Sequence, residues 1–143
     1  MIRFVLDASV AAKWFLPSIN EPLSEEALEL LQRQVTGELQ FVIPDLFWSE
    51  LANILWKAVW QGRLTRTVAE DAMAAVLQQN LRTVPSRELV MDALALANDF
   101  RRTVYDCVYV VTAIAQKAIL VTADERLANA LGGHLPVKWL GAV

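Results

Sequence analysis

IRFVLDASVAAKWFL, residues 2–16, combines two patterns that together indicate the fold. IRFVL (2–6) is a short apolar run that includes a β-branched residue, which is typical of a strand buried on both faces. ASVAAKWFL (8–16) follows it as a short predicted helix that ends at Pro17. A buried strand that leads directly into a helix is the repeating unit of an α/β domain.

The rest of the chain continues this alternation. Further strands are predicted at 39–43, 81–85, 118–122 and 137–140. Further helices are predicted at 21–37, 44–62, 65–80, 86–100, 103–118 and 124–131. Ser86 is expected to cap the helix at 86–100, and Thr65 or Thr67 the helix at 65–80. The pattern predicts an α/β domain with a mostly parallel central sheet of four to five short strands flanked by helices. The chain shows no repeat, low-complexity tract or linker, so residues 1–143 are predicted to form a single domain.

The composition narrows the range of functions. Hydrophobic residues make up 55% of the 143 residues, above the roughly 45–50% of soluble chains, but no apolar run reaches the roughly 20 residues that cross a bilayer. The N-terminus lacks the layout of a signal peptide, so a cytoplasmic location is expected. One cysteine, Cys107, and one histidine, His134, argue against a zinc site. The net charge of −3 argues against a broad basic face for nucleic acid, but not against a local site where metal ions supply positive charge.

Three aspartates lie where a parallel sheet places its ligands, at the carboxyl ends of strands or the starts of helices. Asp7 follows the strand at 2–6, and Asp124 follows the strand at 118–122. Both also begin helices, where aspartate is a favoured cap, so capping alone would explain them. Asp106 lies in the first turn of an apolar helix. An acid there complements the helix dipole, yet a buried carboxylate needs a proton, a cation or a metal ion.

Glu50 is the fourth acid, within IPDLFWSELANILWKAVW (43–60). It is one step round from the polar stripe of this helix, on a row that is otherwise apolar. The residues of the polar stripe are Asp45, Ser49, Asn53 and Lys57. A solvated glutamate, or a salt bridge to Arg63 or another base, would explain Glu50. The preferred interpretation is a carboxylate that points inward to a site.

Four carboxylates that met at one place would repel each other and raise one another's pKa values. Their convergence makes physical sense if a cation lies between them, and Mg²⁺ and Mn²⁺ favour oxygen ligands. Such ions position and activate water and stabilise a phosphodiester under attack. Two hydroxyl residues lie next to these acids, Ser9 two residues after Asp7 and Thr122 two residues before Asp124. Each hydroxyl could hold a metal-bound water or a carboxylate, or serve only in capping and packing.

The order of these motifs resembles the PIN-domain ribonucleases, and within them the VapC-like toxins of bacterial toxin–antitoxin pairs. The resemblance covers about residues 2–140 and is carried by FVLDAS, PDLFWSELANIL, YDCVYV and TADERL. It implies a three-layer PIN-like fold in which four acids are the metal-binding catalytic residues, namely Asp7, Glu50, Asp106 and Asp124. It also implies Mg²⁺ or Mn²⁺ as cofactor and hydrolysis of RNA, often transfer or ribosomal RNA. Cys107 departs from the alanine common in the family, but it is also small.

The resemblance further implies a small antitoxin protein that blocks the toxin, and a homodimer. Five aromatic residues on two apolar helices are candidates for the antitoxin groove. They are Trp14, Phe15, Trp48, Trp56 and Trp60. Arg126, two residues past Asp124, is a candidate contact to an RNA phosphate.

Other functions stay open on these residues. A metal-dependent phosphatase would use Asp7 as its nucleophile, but such enzymes usually want a second acid two residues on, where this chain has Ser9. A phospho-acceptor receiver domain would want paired acids after the first strand and a late lysine after a strand, and neither is clear. A non-catalytic binding module would use its acids only as caps.

Overall fold

The computed structural model of the protein describes residues 1–79 and 81–143. Its strands are β1 (Ile2–Leu6), β2 (Leu39–Pro44), β3 (Arg82–Val84), β4 (Ile119–Thr122) and β5 (Val137–Trp139). Its helices are α1 (Ala8–Ala12), α2 (Ser24–Val35), α3 (Leu46–Trp60), α4 (Arg66–Gln78), α5 (Val90–Phe100), α6 (Val104–Gln116) and α7 (Glu125–Leu131). Of the helices described, none has the length and apolar character needed to span a bilayer.

The five strands form one sheet in the order β3-β2-β1-β4-β5, and every neighbouring pair is parallel. The prediction of an α/β fold with a mostly parallel sheet is therefore confirmed. The sheet is buried on both faces because helices cover it. In β2, Phe41 and Ile43 pack into one apolar cluster, while Val42 between them packs into a second cluster with Cys107 and Val108 of α6.

Two predicted helices are wrong in extent. The helix expected at 8–16 ends at Ala12, and turns follow it. The helix expected at 86–100 begins at Val90, after a short 3₁₀ turn at Ser86–Glu88. Ser86 does not cap it, because the Ser86 backbone amide donates to Asp45 Oδ2 at 3.1 Å. Thr65 does cap α4, where its hydroxyl accepts from the Val68 amide at 3.2 Å. The end predicted for that helix, residue 80, lies outside the described residues.

A buried charge cluster fixes the loop between α1 and α2. Glu21 accepts from Lys13 Nζ at 2.6 Å and from Arg63 Nη2 at 2.9 Å. The side chains of Lys13 and Glu21 are only 7% and 10% exposed. Burial by itself would raise the pKa of Glu21, but the hydrogen bonds from the two bases bring it below its ordinary value. Arg63 is therefore paired with Glu21, and the salt bridge between Arg63 and Glu50 considered for the sequence is not formed.

The strand order creates a crevice between β1 and β4. The chain passes from β1 to β2 on one side and from β4 to β5 on the other, so the connections leave in opposite directions. Parallel sheets bind their ligands at such a switch point, outside the carboxyl ends of the strands. Leu6 of β1 is in register with Val121 of β4. Asp7 and Thr122 therefore leave the sheet side by side.

Candidate active site

Asp7 is both a helix cap and a link between the two central strands. Its Oδ1 accepts from the backbone amide of Ser9 at 3.2 Å, which caps α1. Its Oδ2 accepts from the hydroxyl of Thr122 at 2.8 Å. The backbone amide of Asp7 donates to the Val121 carbonyl at 3.2 Å. Capping of α1 therefore occupies one carboxylate oxygen of Asp7, and Thr122 of the neighbouring strand β4 orients the other.

Asp124 is held at the end of β4 by the same network. Its Oδ1 caps α7 by accepting from the amides of Arg126 and Leu127 at 3.0 and 3.1 Å. Its backbone amide donates to the Thr122 hydroxyl at 3.1 Å. Thr122 is fully buried, so one hydroxyl joins the Asp7 carboxylate to the backbone of Asp124. The Ser9 hydroxyl adds a weaker link by accepting from the Ala123 amide at 3.3 Å.

Asp106 and Glu50 complete the acid cluster from two helices. Thr103 is the cap of α6, because its hydroxyl accepts from the Asp106 amide at 3.1 Å. The Asp106 carboxylate is therefore not used as the cap and is free to face the site. Glu50 lies half-buried on α3, with no ion pair or hydrogen bond to its carboxylate among residues 1–79 and 81–143.

The electrostatics show that these acids act on one another. Burial raises the pKa of Glu50 to about 7, and the negative charges of Asp7 and Asp106 add to the rise. Burial also raises the pKa of Asp7, with a contribution from Asp106. The pKa of Asp106 is raised by burial and by Asp124, although Arg102 partly opposes the rise. Asp106 therefore interacts with each of the other three acids.

Across the described part of the chain, no three of these side chains come close enough together to form a ready-made metal site. Like-charged side chains are expected to stay apart when no cation lies between them. The donor set is nonetheless suited to a hard divalent ion, because all four acids offer oxygen ligands. Raised pKa values at Glu50, Asp7 and Asp106 mark a place where added positive charge would be stabilising.

Tyr109 is a site residue that the sequence reasoning missed. It is 2% exposed, and its hydroxyl has no hydrogen-bond partner among the described residues. Burial raises the pKa of Tyr109, as do the negative charges of Asp7 and Glu50, while the nearby Ala8 backbone amide, outside hydrogen-bond geometry, acts to lower it. The signal in the sequence was its position three residues after Asp106, which places both side chains on one face of α6.

An open groove of about 450 Å³ lies beside the acid cluster. Glu50 and Asp106 contribute to its walls, so it leads directly from the site. The remainder of its lining is apolar or neutral and comes from α3 and the first turn of α6. These residues are Leu46, Ser49, Asn53, Ile54 and Tyr105.

Arg126, expected near a phosphate, lies exposed in the first turn of α7. Its carbonyl accepts from Arg102 Nη2 at 2.9 Å. Arg102 also lowers the pKa of Asp106. Arg102 therefore joins the rim of the site to Asp106.

The five candidate partner-binding aromatic residues divide into two groups. Trp14 packs on Phe41 with ring centroids 6.0 Å apart, and its indole N–H donates to the Ala27 carbonyl at 2.8 Å. Phe15 packs edge-on to Trp14 and is partly buried. Trp48 is partly buried beside Phe47. These three contribute chiefly to the core.

Trp56 and Trp60 form the second group. They are 61% and 76% exposed and stack on each other with centroids 6.5 Å apart and an interplanar angle of 15°. Trp56 also lines an apolar groove of about 330 Å³ between α3 and α4, together with Leu55, Val59 and Met73. The exposed aromatic surface of α3 is therefore made by Trp56 and Trp60.

Comparison with known proteins agrees with this geometry. The model of the PIN-domain family matches residues 4–131. The chain belongs to the PIN-domain family. The matched span contains all four acids of the PIN-domain cluster described above.

Individual PIN-domain relatives support the assignment. The chain is 32% identical to Ribonuclease VapC3 of Pyrobaculum aerophilum over 130 residues, which is 90% of this chain and 94% of that protein. The crystal structure of PAE2754 from the same organism superposes with a TM-score of 0.68 at 20% identity, covering 99% of this chain and 85% of that one. A toxin–antitoxin complex from Klebsiella pneumoniae gives a TM-score of 0.59 at 17% identity, with 96% of each chain covered. VapBC2 from Rickettsia felis, bound to a DNA fragment from its promoter, gives 0.61 at 13% identity, covering 96% and 98%.

Proposed function

We propose that this PIN domain is a divalent-metal-dependent endoribonuclease, and that it acts as the toxin of a toxin–antitoxin pair. The observation that carries the proposal is the group of four carboxylates at the switch point of the sheet, in which Asp106 interacts with each of the other three. The relative named Ribonuclease VapC3 supports the choice of RNA as substrate. Transfer or ribosomal RNA is the expected target. The homodimer and the cytoplasmic location expected from the sequence belong to the same proposal.

The acids Asp7, Glu50, Asp106 and Asp124 would hold the metal ion, and PIN-domain ribonucleases in general depend on divalent metals. Mg²⁺ or Mn²⁺ is the expected ion. When bound, it supplies positive charge that offsets the negative charge developing on the phosphodiester. Thr122 and the Ser9 amide orient Asp7, and the first turn of α7 orients Asp124. Two of the four ligands are thus fixed by the fold before the ion arrives.

Cleavage assays test the proposal directly. The purified protein is incubated with structured and single-stranded RNA in Mg²⁺ or Mn²⁺, and then with a chelator. We expect cleavage that stops in chelator and is absent in Asp7→Asn. Asp99→Asn, which changes an exposed aspartate of α5, is expected to cleave like the unchanged protein. Activity that persists in chelator, or that Asp7→Asn retains, would contradict the proposal.

Arg126 is proposed to contact the RNA backbone from the rim of the site. Its side chain is exposed and only its carbonyl is used in the fold. Arg126→Ala should therefore lower RNA cleavage while the melting temperature stays unchanged. Unaltered cleavage by this variant would remove Arg126 from the site without affecting the assignment of the four acids.

The exposed Trp56–Trp60 surface is proposed to bind the antitoxin. Structures similar to this chain include toxin–antitoxin complexes. An apolar helix lying in the groove between α3 and α4 would contact Trp56, on which Trp60 stacks. The partner to test is the product of any small reading frame that lies next to this chain's gene. Trp56→Ala with Trp60→Ala should weaken its binding at least about tenfold and leave RNA cleavage unchanged. Equal binding by the double variant would place the antitoxin elsewhere.

A further inference from the structure

The groove beside the acid cluster has a composition that neither capping nor core packing explains. Tyr105 stands at its edge, 65% exposed, and its ring has no aromatic partner among the described residues. Leu46 and Ile54 supply apolar wall, partly buried. A large exposed ring beside apolar side chains forms a platform on which a flat ligand can stack.

Polar groups in the groove are free to recognise such a ligand. Ser49 and Asn53 are both exposed on α3 and line the groove. In the described parts of the chain, neither side chain makes a hydrogen bond. The Asn53 amide offers both donors and an acceptor, and the Ser49 hydroxyl can donate or accept. A ligand with hydrogen-bonding edges would find complementary partners here.

The charges of the groove restrict what kind of ligand fits. Glu50 and Asp106 lie in its walls, so the groove itself suits an uncharged group, and a phosphate is favoured only beside the proposed metal ion, which offsets these charges. A nucleobase is flat, uncharged and carries donors and acceptors on its edges, and proteins hold unpaired bases by aromatic stacking combined with such hydrogen bonds. The volume of about 450 Å³ accommodates one base with its ribose.

We infer that this groove is a nucleobase subsite, which holds one unpaired base of the RNA next to the bond that is cut. Tyr105 stacks on the base, Asn53 and Ser49 contact its edges, and the attached phosphate extends toward the acid cluster. This inference rests on the proposed ribonuclease function and adds to it the residues that hold a base beside the bond that is cut.

A binding measurement separates the subsite from catalysis. Asp7→Asn protein is titrated with short single-stranded oligoribonucleotides that carry 2-aminopurine at successive positions, with Mg²⁺ present. We expect fluorescence quenching on binding at one preferred position. Adding Tyr105→Phe should preserve the quenching, because the phenyl ring still stacks. Adding Tyr105→Ala should remove it and weaken binding about tenfold, the size expected when one stacked base is lost.

Cleavage kinetics of the otherwise unchanged protein give a second readout. Tyr105→Ala is expected to raise KM for single-stranded RNA about tenfold with a smaller change in kcat, and Tyr105→Phe to stay within about twofold. Asn53→Ala should reduce the differences in kcat/KM among the four homopolymers. Met91→Ala, which removes a similarly exposed side chain on α5, is the matched control and should match the unchanged protein in every assay.

Three results would overturn the inference, each in a different way. Equal quenching and equal KM in Tyr105→Ala would show that no base stacks there, while the ribonuclease proposal would stand on the metal-dependent cleavage. Loss of antitoxin binding in Tyr105→Ala, with RNA binding intact, would make the groove a protein-docking site. Absence of any single-stranded RNA binding by Asp7→Asn would remove the subsite altogether, and absence of cleavage by the unchanged protein would separately contradict the proposed function.

Discussion

Glu50 is the carboxylate whose surroundings least favour a negative charge. It is half-buried, it faces Asp7 and Asp106, and its pKa is raised to about 7. In the part of the chain that the structure describes, no hydroxyl or amide donates to its carboxylate, in contrast to Asp7 and Asp124. A residue kept in such a position is costly to the fold unless a cation arrives.

Replacement of Glu50 by Gln tests this balance. The neutral amide has nearly the same shape and removes the repulsion between the carboxylates. The free energy of unfolding of the metal-free protein should therefore stay equal or rise, by up to about 1 kcal/mol after allowance for solvent screening. Mn²⁺ affinity, measured by calorimetry, should fall at least about tenfold, and RNA cleavage at least about a hundredfold. Glu25→Gln, an exposed change on α2, is expected to alter none of these. A large loss of metal-free stability in Glu50→Gln would contradict this account.

Tyr109→Phe makes a second residue-scale prediction. The variant removes a buried hydroxyl that has no hydrogen-bond partner among residues 1–79 and 81–143, and an unsatisfied buried hydroxyl is destabilising by about 1–3 kcal/mol. The metal-free free energy of unfolding, measured in urea, should therefore stay the same or rise.

Thr112→Val is the matched control for Tyr109→Phe. It removes another buried hydroxyl of α6, but one that donates to the Val108 carbonyl at 2.6 Å. Its loss should lower the free energy of unfolding by about 1 kcal/mol. The explanation fails if Tyr109→Phe is the more destabilising of the two.

At the scale of secondary-structure elements, Glu21 joins α1 and α2 to the turn between α3 and α4. One nearly buried carboxylate receives both Lys13 and Arg63. The cluster fixes the loop that follows α1, and α1 itself begins at Asp7. A distant ion cluster thus supports the position of a site residue through one short helix.

Removal of Glu21 tests that connection. Glu21→Ala leaves Lys13 buried without a counter-charge, so the free energy of unfolding should fall by about 3 kcal/mol. Glu38→Ala breaks an exposed pair with Arg33 and should cost less than about 1 kcal/mol. Urea denaturation of both variants measures the difference. Similar values for the two would show that the Glu21 cluster is no stronger than a surface pair.

The element pattern could be read from the sequence because buried strands and amphipathic helices have distinct periods. IRFVL was predicted at 2–6 and is found at Ile2–Leu6. The helix at 86–100 was predicted too long because Ser86 looked like a cap, whereas its amide bonds to Asp45, 41 residues away in the chain. Local pattern carries no information about a partner so distant. The salt bridge considered between Glu50 and Arg63 is not formed for the same reason, because Arg63 pairs with Glu21, 42 residues away in the chain.

Stability of the whole molecule should depend on pH in a way set by its acid cluster. In chelator, the folded-state pKa of Glu50 is about 7 against an ordinary value of 4.5, so between these pH values the folded chain holds more protons than the unfolded chain. The free energy of unfolding should therefore fall as pH rises through this window, by on the order of 1 kcal/mol after screening. Asp7 and Asp106, whose pKa values are also raised, act in the same direction.

Thermal denaturation at pH 5 and pH 7.5 measures this dependence. In chelator, the melting temperature should be lower at pH 7.5. Saturating Mg²⁺ or Mn²⁺ should remove or reverse the difference, because an ion that binds only the folded chain stabilises it. Glu50→Gln in chelator should show a flatter profile. A melting temperature that rises with pH in chelator would contradict the electrostatic description of the site.

The candidate site shows how far sequence reasoning reaches at the scale of the whole chain. Asp7, Asp106, Asp124, Ser9 and Thr122 were predicted from strand ends and helix starts, and Glu50 from its place on an apolar row of a helix; their roles stay a prediction. Tyr109 was not predicted, because a tyrosine in an apolar helix looks like core until its unpaired hydroxyl is seen. The division of the aromatic residues also needed the structure, since the partial burial of Trp14 depends on its contacts with Phe41 and Ala27, whereas Trp56 is left exposed. The single domain across residues 1–143 stays a prediction.

The hydrogen bond between Asp7 and Thr122 joins residues 115 positions apart in the chain. During translation, Asp7 therefore emerges early and is oriented only after Thr122 of β4 has been made. Asp124 follows Thr122 by two residues. A ribosome-bound or prematurely terminated chain that stops short of β4 has Asp7, Glu50 and Asp106, and β2 beside β1, but it lacks β4 on the other side of β1, where Thr122 and Asp124 complete the site. The protein is thus expected to be inert toward RNA while it is being made, and to become active only when almost all of the chain has left the ribosome.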